Sequence, residues 1–137
     1  MEPQITQNTQ MDTGEDRVNL LSKRIIGCAL TVLHALGAGF LEKVYENALM
    51  HELRKSGLAV SQQHPMVVRC DGIVVGEYAV DQLVEHSVLV ELKVAKAIDE
   101  IRRAQCLNYL KATGFHLCLL LDFGKPRLEI KRIVLAL

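Results

Sequence analysis

The sequence predicts an α/β fold: one mixed β-sheet flanked by helices, in the chain order helix, helix, three or four antiparallel strands, helix, strand, strand. Three observations carry that expectation. Apolar residues recur at helical spacing in three stretches, each closed by glycine at Gly37-Ala38-Gly39, Gly57 or Gly114. Between the second and third stretches the periodicity changes to that of strands, punctuated by Asp71-Gly72 and by the polar turn Glu85-His86-Ser87. The third helix then separates two apolar strands, and a helical crossover of that kind lets such strands lie side by side and parallel.

Taken in order, residues 1–16 are rich in Gln, Thr, Asn, Glu and Asp without apolar periodicity, and read as a disordered polar leader. Residues 17–137 read as a single domain. Its first helix spans Val18 to about Leu36, with Leu21, Ile25, Cys28, Ala29, Val32 and Leu36 on one face. The second runs from about Leu41 to Ser56, with Leu41, Val44, Tyr45, Ala48, Leu49 and Leu53 apolar. Leu58–Val60 and Met66–Cys70 look extended, with Pro65 between them suggesting an edge or a bend. Asp71-Gly72 pairs Cys70 with Ile73 and Val68 with Val75, and Gly76 marks a bulge or bend before the strand Tyr78–Val84. In the next strand Val88, Val90, Leu92 and Val94 share one face, and Leu89, Glu91 and Lys93 the other. That division calls for a helix on the apolar side and a cleft on the charged side. The third helix, Ile98–Thr113, turns Ile101, Ala104, Cys106 or Leu107, and Leu110 inward, with Gln105 and Tyr109 four apart on one side. Phe115–Leu121 has the unbroken apolar character of a central strand, and Leu128–Leu137 returns as the last.

Composition narrows the function. The chain has 137 residues, half of them apolar and none Trp, enough for one core of Leu, Val, Ile and Ala. Sixteen basic and sixteen acidic residues cancel, so any polyanion must be met by a local patch. Cys28, Cys70, Cys106 and Cys118 match no metal spacing and read as reduced buried thiols. The five histidines show no zinc spacing. No apolar run approaches the ~20 residues of a membrane span, and the polar N-terminus lacks the order of a signal peptide. The expectation is a soluble cytoplasmic protein with no membrane partner.

The stretch Asp81–Lys93 carries the chemistry. With a three-residue loop at Glu85-His86-Ser87, Val84 pairs with Val88, Leu83 with Leu89, Gln82 with Val90, and Asp81 with Glu91. Opposed residues share a face at roughly 4.5–5.5 Å between Cβ atoms, so two carboxylates meet, with Lys93 on the same face. Like charges there need neutralising, and a divalent cation does so with carboxylate and carbonyl oxygens. Asp81, Glu91 and the Leu92 carbonyl are the candidate ligands of magnesium, and Lys93 the group that positions or deprotonates a water or holds a phosphate oxygen. An exposed Glu91–Lys93 pair is also ordinary surface electrostatics, and spacing alone leaves both readings open. Glu42, in the first turn of its helix, is likewise either a site residue or an acid placed there by the helix dipole.

The stretch Gly37-Ala-Gly39-Phe-Leu-Glu42-Lys-Val-Tyr45-Glu46 resembles the glycine-rich entry and ExxY helix of the GxxExxY protein family, of the PD-(D/E)XK nuclease-like superfamily. The resemblance continues through Ala48-Leu49, Glu52 to Leu58, Asp81…Val90-Glu91-Leu92-Lys93, Ala104 to Lys111, Asp122-Phe123-Gly124 and Leu128 to Arg132. It implies a restriction-endonuclease-like core in the order αβββαβ, here with an extra N-terminal helix. It also implies that Glu42, Asp81 and Glu91 line a magnesium site, that manganese can substitute, and that Lys93 is the catalytic lysine. Gln105 and Tyr109 would reach that site from the following helix. A basic residue that members often carry near Ala79, and a histidine near Arg102, are absent here.

The implied activity is hydrolysis of phosphodiester bonds in DNA or RNA by a metal-activated water. Lys96, Arg102, Arg103 and Lys111 are the basic residues available to phosphates. The alternative is a catalytically weak or inactive module that keeps the fold and binds nucleic acid or a protein partner, which the neutral charge and small size favour. A metal-dependent enzyme on a small phosphate substrate is a third reading. Superfamily members often dimerise, so the resemblance admits a homodimer.

Overall fold

A computed structural model describes the backbone of residues 2–95 and 98–135, and side chains in those ranges from Gly14 onward. The elements are α1 (Glu2–Leu36), α2 (Glu42–Lys55), β1 (Val60–Cys70), β2 (Ile73–Val84), β3 (Val88–Lys93), α3 (Glu100–Thr113), β4 (Leu117–Asp122) and β5 (Glu129–Val134). The strands form one five-stranded sheet in the order β1-β2-β3-β4-β5. Only β3 and β4 are parallel, joined through α3; the other neighbours are antiparallel. This is the mixed α/β sheet expected, with α2-β1-β2-β3-α3-β4 as the αβββαβ core and α1 and β5 added at its ends.

Two apolar layers hold it. On one face, α1 and α2 contribute Ile25, Ala29, Val32, Tyr45, Leu49 and Leu53 against Val88, Val90, Leu92, Leu119 and Leu121. On the other, Cys106, Tyr109 and Leu110 of α3 pack on Val80, Leu83, Leu89, Cys118 and Leu120. Strands β3 and β4 alternate between the two layers, which is why β4 reads as a continuous apolar run. Ile101, expected in the inner face of α3, is 77% exposed, and Ala104 is exposed as well, because the helix turns Cys106 and Tyr109 inward instead. Leu41 and Val44 of the second helix also face outward. Asp99 caps α3 by accepting from the Arg102 N–H at 2.9 Å, and Gly114 closes it in the left-handed region.

Several local expectations are corrected. The helix begins at Glu2, so the polar stretch read as a disordered leader continues α1; Glu, Gln and Met are good helix formers, and extending a nucleated helix is inexpensive. Gly14–Leu36 is long and apolar enough to pass as a membrane span, against expectation, but its stripe Leu21, Ile25, Ala29 and Val32 is buried in the protein's own core. Residues 60–70 form one strand rather than two, and the bend falls at Gln63, whose φ is +53°. Cys70 pairs with Ile73 as expected, but Val68 pairs with Gly76 and Arg69 with Val74, so Val75 is the bulged residue next to the glycine. Cys70 is exposed near that turn, unlike the three other thiols. The last strand ends at Val134; Ala136 and Leu137 lie outside the described residues, as does Lys96.

The backbone after β3 is fastened to the loop after β4. The buried Asp122 carboxylate accepts from the N–H of Ala95 at 3.0 Å and of Gly124 at 2.8 Å, and the Phe123 N–H donates to the Lys93 carbonyl at 2.8 Å. A Cβ at Gly124 would fall 2.2 Å from the Ala95 carbonyl oxygen, whereas one at the exposed helical Gly27 would meet nothing within 4 Å. Urea denaturation should therefore show Gly124→Ala destabilising by at least the ~1–3 kcal/mol of an overpacked core. Gly27→Ala should stabilise by roughly 0.5–1 kcal/mol.

Candidate metal centre

The turn that sets the geometry is short. Glu85 and His86 both have positive φ (53° and 52°), and the Ser87 N–H donates to the Val84 carbonyl at 3.0 Å. That turn fixes Val84 opposite Val88, Leu83 opposite Leu89 and Gln82 opposite Val90, the register expected. The regular ladder then stops, one pair short of Asp81 and Glu91. In place of backbone bonds, the Asp81 N–H donates to Glu91 Oε1 at 2.9 Å, and the Leu92 N–H donates to Asp81 Oδ2 at 2.8 Å. Each carboxylate thus accepts from the main chain of the opposite strand, and the two side chains are locked on the α3 face of the sheet.

Little water reaches this pair. Glu91 is 7% exposed and Asp81 half-buried. Loss of solvent, followed by the neighbouring Asp81 charge, pushes the Glu91 carboxyl up to about 8, and burial raises Asp81 too. Glu42, half-buried at the start of α2, is also raised by desolvation, and it senses the charges of Lys93, Asp81 and Arg102. Lys93, half-buried at the end of β3, stands near enough to lower all three carboxyls. Among the described residues no cationic side chain comes within the 4.0 Å of an ion pair with Asp81, Glu91 or Glu42. The pair is therefore desolvated with no cationic side chain in contact, and the proton that Glu91 holds near neutral pH is what a hard cation with oxygen ligands would displace. Asp81 and Glu91 supply carboxylate oxygens of the kind such an ion takes. Glu42 is brought near but not into one cluster with them: among the described residues no three His, Cys, Asp or Glu side chains are close enough to share a metal.

From the other side, Gln105 Nε2 donates to the Tyr109 hydroxyl at 2.7 Å. Burial and the Glu91 charge push the Tyr109 phenol up to about 12, so it stays protonated and keeps a proton to donate. Tyr45, by contrast, faces the α1–α2 core. Its hydroxyl donates to the Gly37 carbonyl at 2.5 Å and accepts from the Phe40 N–H at 3.2 Å, and its ring stacks on Phe123 at 4.8 Å. It ties the glycine turn to the helix and so sets where Glu42 begins α2.

Two participants escaped the sequence reading. Gln63 Nε2 donates to Glu46 Oε2 at 2.9 Å and to Asp81 Oδ1 at 3.3 Å. Glu46, 2% exposed, also accepts from Lys43 Nζ at 3.0 Å, and its carbonyl accepts from Gln82 Nε2 at 2.8 Å. Gln63 contacts both acids from a left-handed backbone, a conformation glutamine rarely adopts and no sequence pattern announces.

Comparison with known proteins agrees with this architecture. Residues 19–133 match the family described as the PD-(D/E)XK nuclease superfamily. The chain belongs to that superfamily. Among solved structures it is similar to SSO0001, with a TM-score of 0.55 and 15% identity over 69% of this chain and 50% of that one. It is also similar to an alkaline exonuclease (LHK-Exo) from Laribacter hongkongensis, with a TM-score of 0.51 and 14% identity over 69% of this chain and 56% of that one. At such identities the likeness is one of fold, and this chain spans about half the length of both proteins. No curated protein matches it in sequence.

The buried pair has a pH signature. Glu91 has a folded value above the ordinary carboxylate range, so the folded protein binds a proton there that the unfolded chain releases near pH 4.5. Stability is then fullest below about pH 4.5 as far as this group is concerned, and declines as pH rises through about 8. The loss is on the order of a few kcal/mol. Denaturant midpoints in chelator at pH 5.5, 7 and 8.5 should fall in that order, and Glu91→Gln should flatten the trend.

Proposed function

We propose that the protein is a metal-dependent nuclease that hydrolyses phosphodiester bonds of DNA or RNA. The observation that supports this most directly is the Asp81–Glu91 pair, buried without a neutralising cation and facing Lys93 on a superfamily fold of nucleases. Asp81, Glu91 and the Leu92 carbonyl hold magnesium or manganese, with Glu42 at the rim. A divalent ion held there supplies positive charge to a phosphoryl oxygen and makes a bound water more acidic. Lys93 orients the attacking water or carries a phosphate oxygen as a point charge. Tyr109, kept protonated by burial and the Glu91 charge and aligned by the hydrogen bond from Gln105, donates a hydrogen bond toward the reacting phosphate. Gln63 holds Asp81 Oδ1 in place from the β1 side.

A second reading has its own support. The described residues contain no three-ligand cluster, which favours a module that keeps the fold and binds nucleic acid or a partner without cutting. Two measurements separate them. Isothermal titration with magnesium and manganese should show binding that Glu91→Ala abolishes, with proton release growing as pH falls below about 8. Supercoiled, single-stranded and structured substrates should then be cut with either metal, and Lys93→Ala or Asp81→Ala should slow cutting by roughly 10²–10⁴-fold. No cutting, or cutting that survives both substitutions, rejects the nuclease and leaves the binding module.

A further inference from the structure

Beyond their register with β3, strands β1 and β2 continue as a two-stranded arm: β3 pairs only with Gln82–Val84, while β1 and β2 pair out to Cys70 and Ile73. Between this arm and α3 lies an open groove of about 1280 Å³. Arg69 and Tyr78 line it from the arm, and Arg102, Asn108, Tyr109 and Lys111 from the helix.

We infer that this groove binds single-stranded nucleic acid and leads it to the carboxylate pair; the destination rests on the nuclease reading, while the binding does not. Charge is the first argument. Three cationic side chains line the groove against one carboxylate, Asp99, which is already engaged in capping α3. The second is an aromatic platform. Tyr78 is 50% exposed, and its ring lies 6.0 Å from that of Tyr109. The Tyr78 ring also lies over Gly76, where a Cβ would come within 3.2 Å of it, so the missing side chain is what lets the ring settle there. An exposed ring of this kind offers a face to a base, and only an unstacked base can use it. The third is continuity. Gln105 and Tyr109 line the groove, and Tyr109 packs in one layer with Val80, the neighbour of Asp81, and Leu89, two residues before Glu91 on the same face, so one wall of the groove ends beside the candidate site.

A duplex fits these features less well. Its bases are stacked away from Tyr78, and a chain of zero net charge carrying three cations in the groove has little beyond them to hold a long phosphate array. Three phosphate contacts to a single strand correspond to a slope of about −2 in log affinity against log salt.

The test is fluorescence anisotropy on the full chain carrying Glu91→Gln, in chelator, so that binding is read without cutting. The probes are a labelled dT 12-mer, a labelled rU 12-mer and a 12-base-pair duplex. Either single strand should bind at least tenfold more tightly than the duplex. Tyr78→Ala should weaken that binding by roughly 5- to 150-fold, the range of one lost base stack, and Tyr78→Phe should retain it. Arg102→Glu should weaken it and shallow the salt slope. Circular dichroism melts confirm that each variant is folded, and a folded Tyr78→Ala protein that binds like its parent overturns the inference. So does equal or tighter duplex binding, or sedimentation showing that the arm is covered by a second copy of the chain while no oligonucleotide binds. Tight single-strand binding by a protein that never cuts, with the parent residue at Glu91 and metal present, supports the groove and rejects the nuclease. Cutting without single-strand preference does the reverse.

Discussion

Repulsion between two carboxylates in a nearly dry place is what the rest of the molecule is built to tolerate. The β2–β3 ladder would ordinarily continue through Asp81 and Glu91, and the backbone groups there would otherwise lack partners. Instead, each acid accepts from the opposite strand's main chain, so the same two bonds that end the ladder also aim the carboxylates. Replacing either side chain by an apolar one would orphan a backbone N–H as well as remove a charge. Fold and site are therefore not separable at this point, and the tension is relieved only from outside, by a proton or a cation.

The flanking elements divide the labour. On one face α1 and α2 supply bulk burial, and Tyr45 with Phe123 fixes the angle at which α2 starts, which delivers Glu42 to the rim. Glu46 and Gln63 then carry hydrogen bonds from α2 across β1 to Asp81. On the opposite face α3 packs Cys106, Tyr109 and Leu110 on the sheet and also carries Gln105, bonded to the Tyr109 hydroxyl, and Arg102. Beyond β3, the Asp122 carboxylate holds the backbone of Ala95 and the Phe123 N–H holds the Lys93 carbonyl, so the strand end bearing Lys93 is tied to the end of β4 at two points.

Much of this was legible from residues alone, and the reasons are local. The register of the central hairpin followed from the polar turn Glu85-His86-Ser87, because a short loop leaves one way to pair the strands. The parallel pairing of β3 and β4 followed from the helix between them. What stayed hidden depends on contacts between distant parts of the chain. Nothing near Gln63 signals its left-handed backbone, which is stabilised by acids from α2 and β2. Tyr45 sits in a motif that invites a chemical role, yet its surroundings are wholly structural. The bulge at Val75 was misplaced by one residue, since the glycine beside it marks the neighbourhood of a bulge and not which residue is extra.

The arm formed by β1 and β2 has a mechanical consequence. An isolated two-stranded ribbon is only marginally stable, so what lies beyond Val80 depends on α3 for cover and can loosen at less than the cost of global unfolding. It is anchored to the sheet at one end alone. A wall of that kind makes a clasp and not a tunnel: a polymer can be taken in sideways, anywhere along its length, without a free terminus to thread.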